Sequence, residues 1–445
     1  MPTAHRQKST KPIRRGACPS LSAPMQTGDG LLVRLRPNDG LLSLGQLFGV
    51  AEAANEFGNG LIEITARGSL QIRGLRQETA TLFAEAVENS AILASSGPAI
   101  EISPLHGLDP TELGDAKALA TELRSRLGPL LSHDAIAPKL AMTVDAGGRF
   151  SIGSLSADIK IKAISHQRWA VSLAGDEKSS CGIGDFTSAE VVPVVGQILQ
   201  SLIDQGVHVR ARELNLGKLF PGSPRTMQAA PQFVSFQSYT GLHDLGPGNW
   251  ALGLRPRFGQ MQSDTLKTFL DRAAEAGASD LRLAPDRHLM LTRLSKAGAK
   301  AISTQARNFG FSVSLDDPEH FVSTCPGVGN CASAFYDTKG LADAILRSSP
   351  ELLDGSLHLH LSGCSKGCAH PAPAFALVGV PEGMALLIDG KAQDQPDAMI
   401  SGEDTRFALE RLSRHLGKER RAGESTAACL TRLGGKRAVA ALLQG

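Results

Sequence analysis

The chain has 445 residues, 42% of them apolar, with 46 Lys and Arg against 44 Asp and Glu, a formal net charge of +2. That length and apolar content suit about three globular units or two large ones. The charge balance excludes a general nucleic-acid binder, which needs a cationic excess to displace counterions, and no apolar run approaches the ~18 residues of a membrane-spanning helix.

Residues 1–27 begin with the basic string MPTAHRQKSTKPIRRG, carry no apolar core segment, and read as an arm rather than a secretory leader. The chain is therefore expected in the cytoplasm. LLVRLRP, Leu31 to Pro37, reads as a strand. Leu44 to Phe57 has helical spacing and meets a stop at Gly58. GLIEITARGSLQIRGL, Gly60 to Leu75, reads as two alternating strands around a turn at Gly68, with a helix near Glu78 to Ala91.

This pattern then returns. RLRPNDG, Arg34 to Gly40, is echoed by GLRPRFG, Gly253 to Gly259, at an offset of 219. Leu35, Arg36, Pro37 and Gly40 match Leu254, Arg255, Pro256 and Gly259. Leu47, Ala54, Glu56 and Gly58 match Leu266, Ala273, Glu275 and Gly277, and Asp264 to Ala276 repeats the helix. A larger module follows each copy, with LAMTVDAGG from Leu140 opposite LHLHLSGCS from Leu357. WAVSLAG ending at Gly175 likewise stands opposite MALLIDG ending at Gly390. The expected class is α+β with a duplicated, pseudo-two-fold plan of two ferredoxin-like half-domains, each followed by a larger α+β module. The expected segments are an arm at 1–27, a half-domain at 28–100, a module at 101–215 and a Gly/Pro-rich linker at 216–240. A second half-domain at 241–318 and a second module at 319–445 complete the chain.

The seven cysteines are not a secreted disulfide framework. Four form tight pairs: Cys325 and Cys331 in TCPGVGNC, Cys364 and Cys368 in SGCSKGC. Flanking glycines let backbone pass close and aim N–H groups at sulfur. Four thiolates with these spacings suit a [4Fe-4S] cluster. Structural zinc is the alternative, although zinc prefers shorter C-x2-C knuckles. Cys18, Cys181 and Cys429 have no close partner in sequence and read as ordinary thiols.

C-x5-C followed by SGC-x3-C resembles the cluster motif of the sulfite and nitrite reductase family, which shares the duplicated plan. ITARGSLQIRGL, Ile64 to Leu75, and PLHGLDP, Pro104 to Pro110, resemble its signatures. The resemblance implies a sulfite/nitrite reductase-like fold in which one cluster cysteine, Cys368 by position, bridges to the iron of sirohaem. It also implies two arginines and two lysines that hold a small oxyanion. Arg67 matches the first arginine and Lys139 one lysine. Glu101 is the only charge where the second arginine should lie, and Ala141 replaces the second lysine. Half of the anion site is missing.

One branch of that family fits this departure: a related tetrapyrrole substrate takes the place of sirohaem. GACPSLSAPMQTGDGLLVRLRP, Gly16 to Pro37, and SGCSKGCAHP, Ser362 to Pro371, resemble it. The resemblance implies an oxygen-dependent conversion of precorrin-3A to precorrin-3B, a ring hydroxylation with γ-lactone formation, in aerobic cobalamin synthesis. It implies a [4Fe-4S] cluster, a mononuclear non-haem iron with unassigned ligands, and dioxygen. In the absence of a Rossmann fingerprint, a separate reductase or small carrier is expected to supply electrons.

Arg67, Lys139 and His360 are the expected catalytic residues. Arg36, Arg73, Arg255 and Arg257 are expected to bind substrate carboxylates. Arg67 stands opposite Asp286 in the repeat, as a single composite site requires. His358 and His360 alternate with leucines, so a strand places both on one face, just ahead of Cys364. His370, beside Cys368, is positioned to orient a ligand or donate a proton. The rival readings are a sirohaem-dependent sulfite or nitrite reductase, an iron–sulfur electron carrier or tetrapyrrole-binding protein, and a zinc-stabilised scaffold.

Overall fold

A computed structural model describes residues 19–94, 97–221, 237–370, 372–402 and 404–444. Most of the N-terminal arm, Cys18, Pro371 and linker residues 222–236 lie outside the described residues. The chain divides into two compact units, one holding Leu31–Val313 and the other Ser314–Gly445 with Gln26–Gly30.

In the larger unit the repeat folds as two sheets. In one, Gly30–Leu35, Leu70–Leu75, Leu61–Ile64 and Gln260–Gln262 lie in that order; in the other, Gly241–Asp244, Trp250–Pro256, His288–Leu294, Asp280–Ala284 and Leu41–Ser43. The two edge strands are exchanged. Leu41–Ser43, from the first copy, pairs antiparallel with Asp280–Ala284 of the second; Gln260–Gln262 pairs with Leu61–Ile64 of the first. One core of buried residues, including Phe83, Ile72, Phe269 and Leu291, runs through both copies.

Local chemistry sets the elements. Helix Leu44–Phe57 starts at Ser43, whose hydroxyl accepts from Gln46 N at 3.0 Å while Gln46 Oε1 accepts from Ser43 N at 2.9 Å, a capping box. It ends at Gly58, where a Cβ would lie 2.5 Å from the Arg73 carbonyl oxygen. The equivalent helix, Ser263–Glu275, packs against it in the same core. Left-handed residues recur at the repeat offset: Asp39 and Phe258 at φ 62° and 56°, Gly68 and Arg287 at 71° and 65°, Gly74 and Arg293 at 71° and 59°.

The two larger modules share a topology that their sequences barely show. In the first, strands Ala99–Ile102, Ala141–Asp145 and Ala157–Ser165 run parallel, and Arg168–Gly175 and Cys181–Phe186 continue antiparallel. In the smaller unit, Val322–Thr324, Leu359–Ser362 and Ala374–Val380 run parallel, then Gly383–Gly390 and Ala398–Ile400 antiparallel. A helix joins the first two strands of each, Ala116–Leu131 and Thr338–Ser348. A second helix follows the last strand, Ser188–Gln205 and Thr405–Glu419. No helix among the described residues is long and apolar enough to cross a membrane.

Candidate active site

The four paired cysteines lie in the smaller unit, on two loops leaving the C-terminal ends of adjacent parallel strands. Cys325 follows Val322–Thr324 and Cys364 follows Leu359–Ser362, and such strand ends are where open sheets hold ligands. Gly363 N donates to Cys325 Sγ at 3.0 Å, and backbone N–H groups of Gly327 and Lys366 reach Cys325 and Cys364. A Cβ on Gly363 would sit 2.7 Å from Ala334 Cβ and 3.3 Å from Cys325 Sγ, so the close approach requires glycine. A Cβ on Gly28 would lie 3.0 Å from the Cys331 backbone nitrogen. Burial pushes the Cys325 thiol up, and the neighbouring Cys331 and Cys364 add to it. Burial, then Cys331 and Cys368, does the same to Cys364. Cys364 is thus within electrostatic reach of Cys325, Cys331 and Cys368, and Cys331 also of Cys325.

Three histidines gather beside this loop. His358 stacks on His370 with ring centroids 4.0 Å apart, and His360 lies 5.8 Å from His370. The His358 Nε2 meets Ser323 Oγ at 2.8 Å. His360 is fully buried and neither ring nitrogen has a hydrogen-bond partner. Burial, helped by His370, lowers its pKa to about 4, so the ring is neutral. Among the described residues no group of three or more His, Cys, Asp or Glu converges to hold a single metal ion. The expected mononuclear iron therefore has no assembled ligand set there.

Arg67 lies in the larger unit, on the turn between Leu61–Ile64 and Leu70–Leu75. The turn is closed by Thr65 N to Ser69 O at 2.8 Å and locked to the equivalent turn by Asp286 N to Ala66 O at 2.9 Å. The guanidinium lines a cavity shared with Arg36, Asp39, Ser69, Glu101 and Leu155. Nε and Nη2 each donate to one carboxylate oxygen of Glu101 at 2.7 Å, and Nη1 to Ser156 O at 2.7 Å.

The other expected cations fare differently. Arg36 lines the Arg67 cavity and donates to Gly97 O at 2.7 Å. Arg73 is buried and pairs with Glu63 at 3.4 Å. Arg255 is buried, with Asp286 at 3.8 Å, and Arg257 stacks over Phe258. Lys139 is exposed and does not line the cavity. Sequence reasoning missed Lys160, whose buried ammonium donates to Gly153 O at 3.1 Å and Leu155 O at 2.8 Å, fixing the cavity wall. The sequence carried no signal for it, because strand alternation puts Lys160 on the face opposite the core residues Ile159 and Ile161.

The family model "Nitrite/Sulfite reductase ferredoxin-like half domain" matches residues 23–89. A Sinorhizobium protein named precorrin-3B synthase is 41% identical over 438 residues, covering 97% of this chain and 95% of that one. The chain belongs to the precorrin-3B synthases, a branch of the nitrite and sulfite reductase family. A ferredoxin–nitrite reductase of Synechococcus elongatus is 25% identical over 417 residues, covering 84% of this chain and 80% of its own length. The solved NirA protein of Mycobacterium tuberculosis shares the fold, with a TM-score of 0.70 at 15% identity over 92% of this chain and 84% of that one.

Set among the precorrin-3B synthases, the cysteine loops fit a [4Fe-4S] cluster. The donor set is four thiols, Gly363 lets the backbone of one cysteine loop pass close to the sulfur of the other, and N–H groups already face the sulfurs. Cys325, Cys331, Cys364 and Cys368 would hold it.

Proposed function

We propose that this synthase converts precorrin-3A to precorrin-3B in aerobic cobalamin biosynthesis, with the tetrapyrrole lying where the reductases hold sirohaem. The 41% identity to the Sinorhizobium protein over 97% of this chain carries this reading. The occupied fork of Arg67 supports it, because Glu101 leaves little there for a free sulfite or nitrite ion. The reaction takes dioxygen, two electrons and two protons; one oxygen atom enters the ring and the other leaves as water. A cluster on Cys325, Cys331, Cys364 and Cys368 would supply single electrons, delivered to it by a separate reductase or carrier. The chain's own groups bind and orient. Arg36 and Arg67 meet peripheral carboxylates, and Lys160 keeps the wall at Gly153 and Leu155 in place. Lys139 is exposed to meet a further carboxylate, and His360 presents a neutral imidazole beside the cysteine loops. No step is assigned to a mononuclear iron. The setting is the cytoplasm.

The test is incubation of purified protein with precorrin-3A, oxygen and a reductant. A product heavier by one oxygen atom is expected; recovery of unchanged substrate refutes the reading. Cys364→Ser or Cys368→Ser is expected to abolish the brown cluster absorbance and turnover together, and a variant active without cluster would refute the ligand assignment. The second reading, a sirohaem sulfite or nitrite reductase, is favoured by the Synechococcus relative's name. A sirohaem Soret band in the purified protein would move it to first place.

A further inference from the structure

The contacts of Arg67 include two of different kinds. Both carboxylate oxygens of Glu101 occupy Nε and Nη2 at 2.7 Å, while Nη1 rests on the Ser156 carbonyl at 2.7 Å. The backbone anchor does not depend on the carboxylate. With Glu101 turned aside, the bond from Nη1 to Ser156 O would remain to hold the guanidinium at the cavity. Nor is the pair sealed, for the Arg67 side chain is 34% exposed and that of Glu101 16%. A carboxylate from solvent can reach the same fork and reproduce the same two bonds.

We propose that Glu101 is an internal competitor that sets ligand selectivity at Arg67: it yields the fork to a carboxylate of a large polycarboxylate and denies it to small free oxyanions. The natural ligand's identity rests on the reading above; the exchange does not. Swapping one carboxylate for another leaves the hydrogen bonds of Arg67 nearly unchanged, so the drive must come from the rest of the ligand. A tetrapyrrole brings apolar ring surface and further carboxylates for Arg36, which lines the same cavity. Nitrite brings one charge and almost no area. It would leave the Glu101 carboxylate unpaired in a cavity that also holds Asp39. Selection thus works through repulsion as much as attraction.

Uroporphyrin III, a fluorescent octacarboxylate tetrapyrrole, is the probe, and nitrite the small anion. The cluster-loaded full chain is titrated by fluorescence quenching, and the thermal midpoint of each variant is recorded. Glu101→Gln and Glu101→Ala are expected to bind uroporphyrin about five- to tenfold more tightly than the unsubstituted chain. Nitrite should weaken porphyrin binding to both variants and leave that of the unsubstituted chain unchanged. Adding Arg67→Ala to Glu101→Gln should cancel both gains. Unchanged or weaker porphyrin binding at an unchanged midpoint overturns the proposal, as does nitrite competition in the unsubstituted chain. Should both variants unfold, Glu101→Asp, which keeps the charge but shortens the reach, must show a smaller gain; none overturns the proposal. A Glu101 effect in a chain that leaves precorrin-3A unchanged removes the synthase reading and keeps the exchange. Turnover without a Glu101 effect does the reverse.

Discussion

Two buried histidines tie stability to pH. His106, which shares hydrogen bonds with Arg282, is lowered to about 4 by burial and then by that guanidinium; His360 is lowered to about 4 by burial and then by His370. Both stay neutral when folded at pH values where the unfolded chain, near 6.5, takes up protons. Stability is therefore full above about pH 6.5 and falls as pH drops toward 4, by as much as about 3 kcal/mol per histidine. A thermal midpoint measured from pH 7 to 4.5 should decline, and His106→Asn should flatten the slope. An unchanged slope would show that His106 is already protonated in the fold. At this scale the cysteine motif was legible, because its spacing is local. The partnership of Arg67 with Glu101 was not, because 34 residues separate them and only the approach of two different sheets joins them. Arg73 misled for a related reason. Its strand LQIRGL alternates in sequence at its start, and only the ion pair with the buried Glu63 on the neighbouring strand marks Arg73 as interior.

A left-handed residue inside a strand, where the register shifts, shows how one backbone bend tolerates different residues in the two copies. Gly74 has φ 71°, and a Cβ there would come within 2.5 Å of Asn59 Cβ. Its counterpart Arg293 adopts φ 59° with a side chain, bonded to Asp280 at 3.1 Å. The left-handed backbone is thus common to both, but the space is not. Gly74→Ala should cost about 2 kcal/mol or more, read as a lowered thermal midpoint. A neutral outcome would mean that Asn59 moves aside freely. The longer helices and alternating strands were readable from periodicity and stop signals. The exchanged strands Leu41–Ser43 and Gln260–Gln262 were not, since three residues carry no period. The correspondence of the larger modules was faint in sequence because hydrogen-bonded topology, rather than side-chain identity, preserves it.

For the molecule, exchange makes the two ferredoxin-like copies interdependent. Residues 28–100 expressed alone would lack Gln260–Gln262 and expose the edge of Leu61–Ile64 along its backbone. Such a fragment should be unfolded or self-associated, as circular dichroism and size-exclusion chromatography would report. A folded monomer would show that the exchanged strand is dispensable. The duplicated plan was legible from the offset of 219, while the sharing of edges was visible only in the pairing.

Reciprocal lending of an edge strand is also how two separate identical subunits would embrace. A one-copy ancestor built this way would be a symmetric homodimer carrying the same turn twice. Joining the copies in one gene frees each turn from its twin: one carries Arg67, the other Asp286, and the two remain clasped through the Ala66 carbonyl. Covalent linkage, more than any single substitution, is what allows an asymmetric pocket to arise from a symmetric embrace.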